Sequence, residues 1–216
     1  MKGGARRRVG VLISGRGSNM MALLAAARAP DYPAEIAVVL ANRAAAEGLP
    51  LARAEGVAAI AVPARPFGRD RAAHEAALAA ELDRFGVEIV CLAGYLRLLT
   101  PWLVGRYAGR MLNIHPSLLP AFPGLDTHAR ALAAGVKLHG CSVHLVTEGM
   151  DEGPLLAQGA VPVLPGDDEV TLAARVLALE HRLYPAALRA FLTGEPLSPA
   201  ADAFLCNPLP QAILAA

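Results

Sequence analysis

Val9-Gly10-Val11-Leu12-Ile13-Ser14-Gly15-Arg16-Gly17-Ser18-Asn19 is an apolar run that breaks into a glycine loop. Residues 20–28 follow as strong helix formers, most of them Ala, Leu and Met. Strand, glycine turn and helix in that order open a doubly wound α/β sheet. The same rhythm continues outward. Residues 35–40 read as a strand and 44–55 as a helix that Gly56 ends in a C-cap position. Residues 58–62 read as a strand, and 70–85 as an alanine-rich helix closed by Gly86. Residues 87–93 are almost wholly apolar, the pattern of a strand buried on both faces. A short helix over 99–107, with Pro101 in its first turn, leads to a strand over 110–114.

The rhythm then changes. A helix is predicted over 127–134, stopping at Gly135, and two strand-like runs over 139–147 and 154–163 share a connection short enough for an antiparallel pair. A long helix is predicted over 167–191, and Pro185 must kink or divide it. The fold class expected is a mostly parallel α/β sheet with helices on both faces and an antiparallel strand pair in the C-terminal half. At 216 residues the chain reads as a single domain.

Composition narrows the function classes. Hydrophobic residues make up 55% and charged residues 18%, which supports a large core and argues against general disorder. Lys and Arg number 20 against 19 Asp and Glu, so there is no electrostatic footprint for nucleic acid. Any anion must be held locally. Cys91, Cys141 and Cys206 are odd in number and form no C-x-x-C pair, which favours reduced thiols in a cytoplasmic protein. Residues 1–8 are basic, but the apolar run after them is too short for a signal peptide and reads with a flexible basic tail before it. No run approaches the roughly 20 apolar residues that span a bilayer.

The glycine loop suits an anion, because helix N-terminal N–H groups face outward there and glycine permits close approach. It fails the dinucleotide fingerprint, since the third glycine position is Met20 and the second strand ends in Ala41-Asn42 without an acid. No Gly-Lys-Ser/Thr follows, so it is not a Walker loop. A monophosphate site fits, and so does a plain strand–helix turn.

Met111-Leu112-Asn113-Ile114-His115-Pro116-Ser117-Leu118-Leu119-Pro120 carries the chemistry. Asn113 and His115 are two apart, so on an extended strand they project together. Pro116 keeps His115 extended and stops a helix. Asp151 lies between Gly149 and Gly153 in a loop between strands, where it reads either as a turn residue or as a catalytic carboxylate. Beside His115 it would raise the imidazole pKa and fix its tautomer. His144, in an alternating strand run, reads as structural. His128, His139 and His181 read as structural or surface residues. No metal is expected, because no Cys/His cluster has ligand spacing.

Three stretches together resemble the phosphoribosylglycinamide formyltransferase family of folate-dependent formyltransferases: residues 12–19, residues 113–120, and Gly140-Cys141-Ser142-Val143-His144-Leu145-Val146 leading to Met150-Asp151-Glu152-Gly153-Pro154. The resemblance covers residues 9–191. It implies a Rossmann-like fold, an N-terminal half to about residue 100 that binds phosphate, and a C-terminal half with the catalytic and folate site. It implies formyl transfer from 10-formyltetrahydrofolate, a co-substrate, to the amine of glycinamide ribonucleotide in purine synthesis. By position it makes Asn113, His115 and Asp151 catalytic. Gly17, Ser18, Asn19 and Glu180 match the ribonucleotide site. Arg71, Leu96, Arg97, Leu98, Leu99, Asn113, Thr147, Glu148, Gly149, Met150 and Asp151 match the folate site. Asp126 stands where some relatives carry histidine and receives no role. The partners expected are the two small molecules, with no nucleic acid or membrane, and a monomer or homodimer.

Three rivals remain. Hydrolysis of the same folate is disfavoured by the Gly-Ser-Asn loop and the lack of a further N-terminal regulatory domain. Formylation of a transfer RNA is disfavoured by the short chain and the absence of a basic face. A nucleotide-binding regulatory module would use the glycine loop and leave Asn113, His115 and Asp151 idle.

Overall fold

The computed structural model describes residues 5–195 and the backbone of Phe204–Leu205. Residues 1–4 of the basic tail, Cys206 and most of the C-terminal tail lie outside the described residues. The chain divides into two compact units, Met1–Leu112 and Asn113–Ala216.

The first unit contains β1 (Arg7–Ile13), α1 (Ser18–Ala27), β2 (Ala34–Ala41), α2 (Gly48–Ala54), β3 (Ala59–Ala61), a 3-10 turn (Arg65–Phe67), α3 (Arg71–Arg84), β4 (Ile89–Leu92) and α4 (Pro101–Arg106). Its strands run parallel in the order β3-β2-β1-β4. Central β1 sets Val11 between Val39 and Cys91, and Leu12 between Leu40 and Leu92. Val9, Val11, Leu12 and Ile13 are all fully buried, which is why β1 reads as a continuous apolar run rather than an alternating one. α3 begins at an Asp70 N-cap whose Oδ1 accepts the Ala73 N–H at 2.9 Å. α4 carries Pro101 in its first turn, as expected. There the buried Glu75 Oε1 accepts the Thr100 N–H at 2.8 Å, and its Oε2 accepts the Thr100 hydroxyl.

Two boundaries correct the sequence reading. The flexible basic tail does not reach residue 8, because Arg7 and Arg8 already belong to β1. Their side chains stay exposed while Arg7 pairs with Glu88 at 2.6 Å and Arg8 pairs with Glu35. α2 starts at Gly48 instead of residue 44. Pro50 then sits in the first turn, where no N–H is needed, and the Gly48 N–H donates to Gly15 O at 3.0 Å.

β5 (Met111–His115) begins at the end of the first unit and continues into the second. The second unit adds α5 (Thr127–Ala133), β6 (Leu138–Leu145), β7 (Leu155–Pro162), α6 (Glu169–Thr193) and β8 (Phe204–Leu205). β6 and β7 pair antiparallel, as expected. α6 opens with a capping box, in which Asp168 Oδ1 accepts the Thr171 N–H at 2.8 Å and Thr171 Oγ1 accepts the Asp168 N–H at 2.9 Å. Pro185 does not divide α6, which runs unbroken for 25 residues. Burial of its apolar face holds the helix together past the donor that Pro185 lacks, since Leu183, Tyr184, Ala187 and Leu188 are at most 1% exposed. The fold is therefore the expected Rossmann-like, mostly parallel sheet with an antiparallel strand pair and helices around it.

Candidate active site

In the second unit β5 delivers Asn113 and His115 from its C-terminal end, two residues apart and on one side. The loop after β6 brings Asp151 back to them. The His115 Nδ1 edge lies 3.4 Å from Asp151 Oδ2. Asp151 has a left-handed backbone, φ +56°, a conformation that aspartate tolerates better than most residues. The loop returns closely: a Cβ on Gly153 would stand 1.7 Å from Leu145 O, so only glycine fits there.

His144 joins this group, although the sequence marked it as structural. The register of β6 on β7 shifts between Val143 and His144, a bulge that re-aims the ring. His144 Nδ1 donates to Leu145 O at 2.9 Å, which leaves Nε2 as an acceptor for the Asn113 Nδ2–H at 3.1 Å. The same Nε2 stands 3.7 Å from Asp151 Oδ1, an electrostatic neighbour too distant for a hydrogen bond. The signal that could have found it was His144-Leu145 ending a strand seven residues before Asp151.

The loop after β5 closes the site. His115 Nε2 donates to Phe122 O at 3.1 Å, and the Gly124 N–H donates to Asp151 Oδ2 at 2.9 Å. A buried polar network fixes the loop's first half. Ser142 Oγ donates to Ser117 O at 2.7 Å and accepts the Leu119 N–H at 3.0 Å and a Gln158 Nε2–H at 2.9 Å. The Leu119–Pro120 bond is cis.

With Nε2 committed to a main-chain carbonyl, Nδ1 is the edge of His115 left for chemistry. Burial pushes the imidazole below its ordinary value; the Phe122 carbonyl and Asp151 pull upward without cancelling that push. Asp151 does raise the imidazole, as expected, but the His115 side chain is only 8% exposed and burial acts more strongly against the cation than one carboxylate acts for it. For Asp151 burial acts upward, but His144, the Gly124 N–H and His115 outweigh it and hold the carboxyl below its usual range. The site thus presents an amide donor, an imidazole edge and an ionised carboxylate within one hydrogen-bonded frame. Such a frame can stabilise an oxyanion and move a proton.

The other expected positions divide between the two units. Thr147, Glu148 and Met150 are exposed on the loop that leads to Asp151. Glu180 is buried on α6, where its charge helps raise the buried Cys141 thiol after burial itself. In the first unit Gly17 is the N-cap of α1 at φ +74°, and Ser18 and Asn19 open the helix. Gly48 packs on this loop, and a Cβ there would meet Ile13 Cδ1 at 2.5 Å and Gly17 Cα at 3.2 Å. Ser14 Oγ accepts the Leu96 N–H at 2.8 Å, tying the glycine loop to the run of Leu96, Arg97, Leu98 and Leu99. Leu96 and Leu98 are 67% and 54% exposed. Arg71 projects from the first turn of α3. Among the described residues no group of three or more His, Cys, Asp or Glu side chains is placed to hold a metal. No described helix is long and apolar enough to cross a membrane.

Residues 7–188 match the formyl transferase family. The chain is 45% identical to the phosphoribosylglycinamide formyltransferase of Escherichia coli (strain K12), over 85% of this chain and 86% of that protein. It is 43% identical to the human trifunctional purine biosynthetic protein adenosine-3, over 88% of this chain but only 19% of that much longer protein. The crystal structure of phosphoribosylglycinamide formyltransferase from Brucella melitensis superposes with a TM-score of 0.83 at 56% identity, covering 92% of this chain and all of the other.

Proposed function

The chain belongs to the formyl transferase family, and from that premise we propose that it transfers the formyl group of 10-formyltetrahydrofolate to the primary amine of glycinamide ribonucleotide. The observation that carries this reading is the assembly of Asn113, His115 and Asp151 around one point, with His144 orienting the amide.

The chemistry follows from those groups. The amine nitrogen attacks the formyl carbon, a C–N bond forms, and the carbonyl oxygen becomes an oxyanion. The Asn113 amide donates to that oxyanion, and His115 Nδ1 does so with a proton drawn from solvent water, which it gives back when the oxyanion collapses. A negative charge developing beside His115 raises its proton affinity, opposing the effect of burial. Asp151, ionised and close to the same edge, takes up the proton shed by the attacking amine. The folate C–N10 bond then breaks, and N10 leaves with the proton that Asp151 took from the amine. Gly17, Ser18 and Asn19 hold the ribonucleotide phosphate at the N-terminus of α1, and Glu180 receives the substrate's glycinamide end. The folate is held by Arg71, Leu96 to Leu99 and Thr147 to Asp151. The whole chain acts as one formyltransferase domain in the cytoplasm, as a monomer or homodimer.

The test is a two-substrate assay with purified protein. Formyl transfer that requires the ribonucleotide supports the reading. Formate release independent of it would assign the protein to folate hydrolysis instead.

A further inference from the structure

Arg130, on α5, has no place in the chemistry above, yet the loop that closes the site is built on it. Its Nη1 donates to Pro123 O at 2.5 Å and to Leu125 O at 3.3 Å, and its guanidinium stands 5.7 Å from the centre of the Phe122 ring. The contacts of this loop alternate. The Phe122 carbonyl receives the His115 Nε2–H and the Gly124 N–H reaches Asp151, while the intervening and following carbonyls, of Pro123 and Leu125, turn to Arg130. Phe122 has φ +55°, a left-handed conformation that a bulky side chain adopts only when its surroundings impose it.

We infer that Arg130 is a positioning residue for the reaction: by holding the carbonyls of Pro123 and Leu125 it keeps Phe122 O and Gly124 N–H where they orient His115 and Asp151. Both hydrogen bonds leave one nitrogen, Nη1, which the rigid guanidinium plane holds in place beside the Phe122 ring; the flexible ammonium of lysine keeps donors but loses that plane and its ring contact. The inference rests on the assignment of His115 and Asp151 as reacting groups. It assigns Arg130 no contact with substrate.

The experiment compares wild type, Arg130→Ala and Arg130→Lys by steady-state kinetics, thermal unfolding and amide hydrogen exchange at Gly124. Arg130 is exposed, so both variants should fold with nearly unchanged thermal midpoints. Arg130→Ala should lose about 10- to 100-fold in kcat, the scale of a small misplacement of catalytic groups, with both KM values within about twofold. Gly124 exchange should rise about tenfold. Arg130→Lys should recover less than half of the loss. A kcat within twofold of wild type, or a fall in kcat with unchanged Gly124 exchange, overturns the inference. Should Arg130→Ala not fold, Arg130→Lys carries the same readouts. The exchange measurement needs no substrate, so unchanged Gly124 exchange would sink the positioning role even if the wild type proved inactive in formyl transfer.

Discussion

His115 Nδ1 and Asp151 Oδ2 face each other at 3.4 Å across residues drawn from β5 and from the loop after β6. At that separation they are electrostatic partners without a tight hydrogen bond. Asp151→Asn preserves the left-handed backbone, since asparagine tolerates it as well, and removes only the charge. Its kcat should fall by about 10²–10³ with modest change in either KM, the scale of a lost acid–base group. Near-wild-type turnover in this variant would remove Asp151 from the mechanism.

Asn113→Ala should cost about 10²–10³ in kcat, as for a single oxyanion donor. His144→Ala should cost about tenfold, because the Asn113 amide loses the acceptor that orients it. The two losses should be strongly non-additive in the double variant, since both act through one amide. Additive losses would show that His144 acts by another route.

The glycine loop can be tested apart from the chemistry. A Cβ at Gly17 would meet Gly48 Cα and Met20 Cε at 3.1 Å and would sit at φ +74°. Gly17→Ala should raise KM for the ribonucleotide about tenfold, equivalent to roughly 1.4 kcal/mol, and leave KM for the folate unchanged. Equal changes in both constants would place the phosphate elsewhere.

Stability should fall in mild acid. Burial first, then His128, push His139 down to about 4, and burial likewise lowers His115, His128 and His181. A lowered histidine binds fewer protons when folded than when unfolded, so it contributes stability above the unfolded value near 6.5 and loses it as pH falls toward its folded value. The thermal midpoint should therefore drop between pH 7 and pH 5, and His139→Gln should show a shallower drop. An identical slope in the variant would exclude His139 as a source. Asp151 acts in the same sense at lower pH, its contribution fading below the ordinary carboxylate range.

The repeating units were legible because each carried its own punctuation. Asp70 and Gly86 bracket α3, Pro101 opens α4, and the almost wholly apolar run 87–93 contains β4. That Asn113, His115 and Asp151 come together was legible from an Asn-x-His pair before proline together with the matched motifs. What escaped depended on tertiary context. Gly48 lies inside a helix-forming stretch, and only the close approach of the glycine loop explains why α2 starts there. His144 has the alternation of any half-buried strand residue, and the bulge that turns it toward Asn113 leaves no mark in the sequence. The lowered His115 follows from burial, which a nearest-partner argument underweights. Arg130 looks like a surface charge on a short helix until its hydrogen bonds are traced.

Phe122, Asp126 and Asp151 are the non-glycine residues with left-handed backbone among those described, and all lie on the two loops that frame His115. Each such residue costs on the order of 1–3 kcal/mol when bulky. Glycine at 122 would relieve that cost while keeping the carbonyl that His115 needs, but would surrender the ring beneath Arg130. A laboratory population selected only for heat resistance should therefore accumulate changes in these loops first, and drift toward proteins that survive boiling better and turn over more slowly.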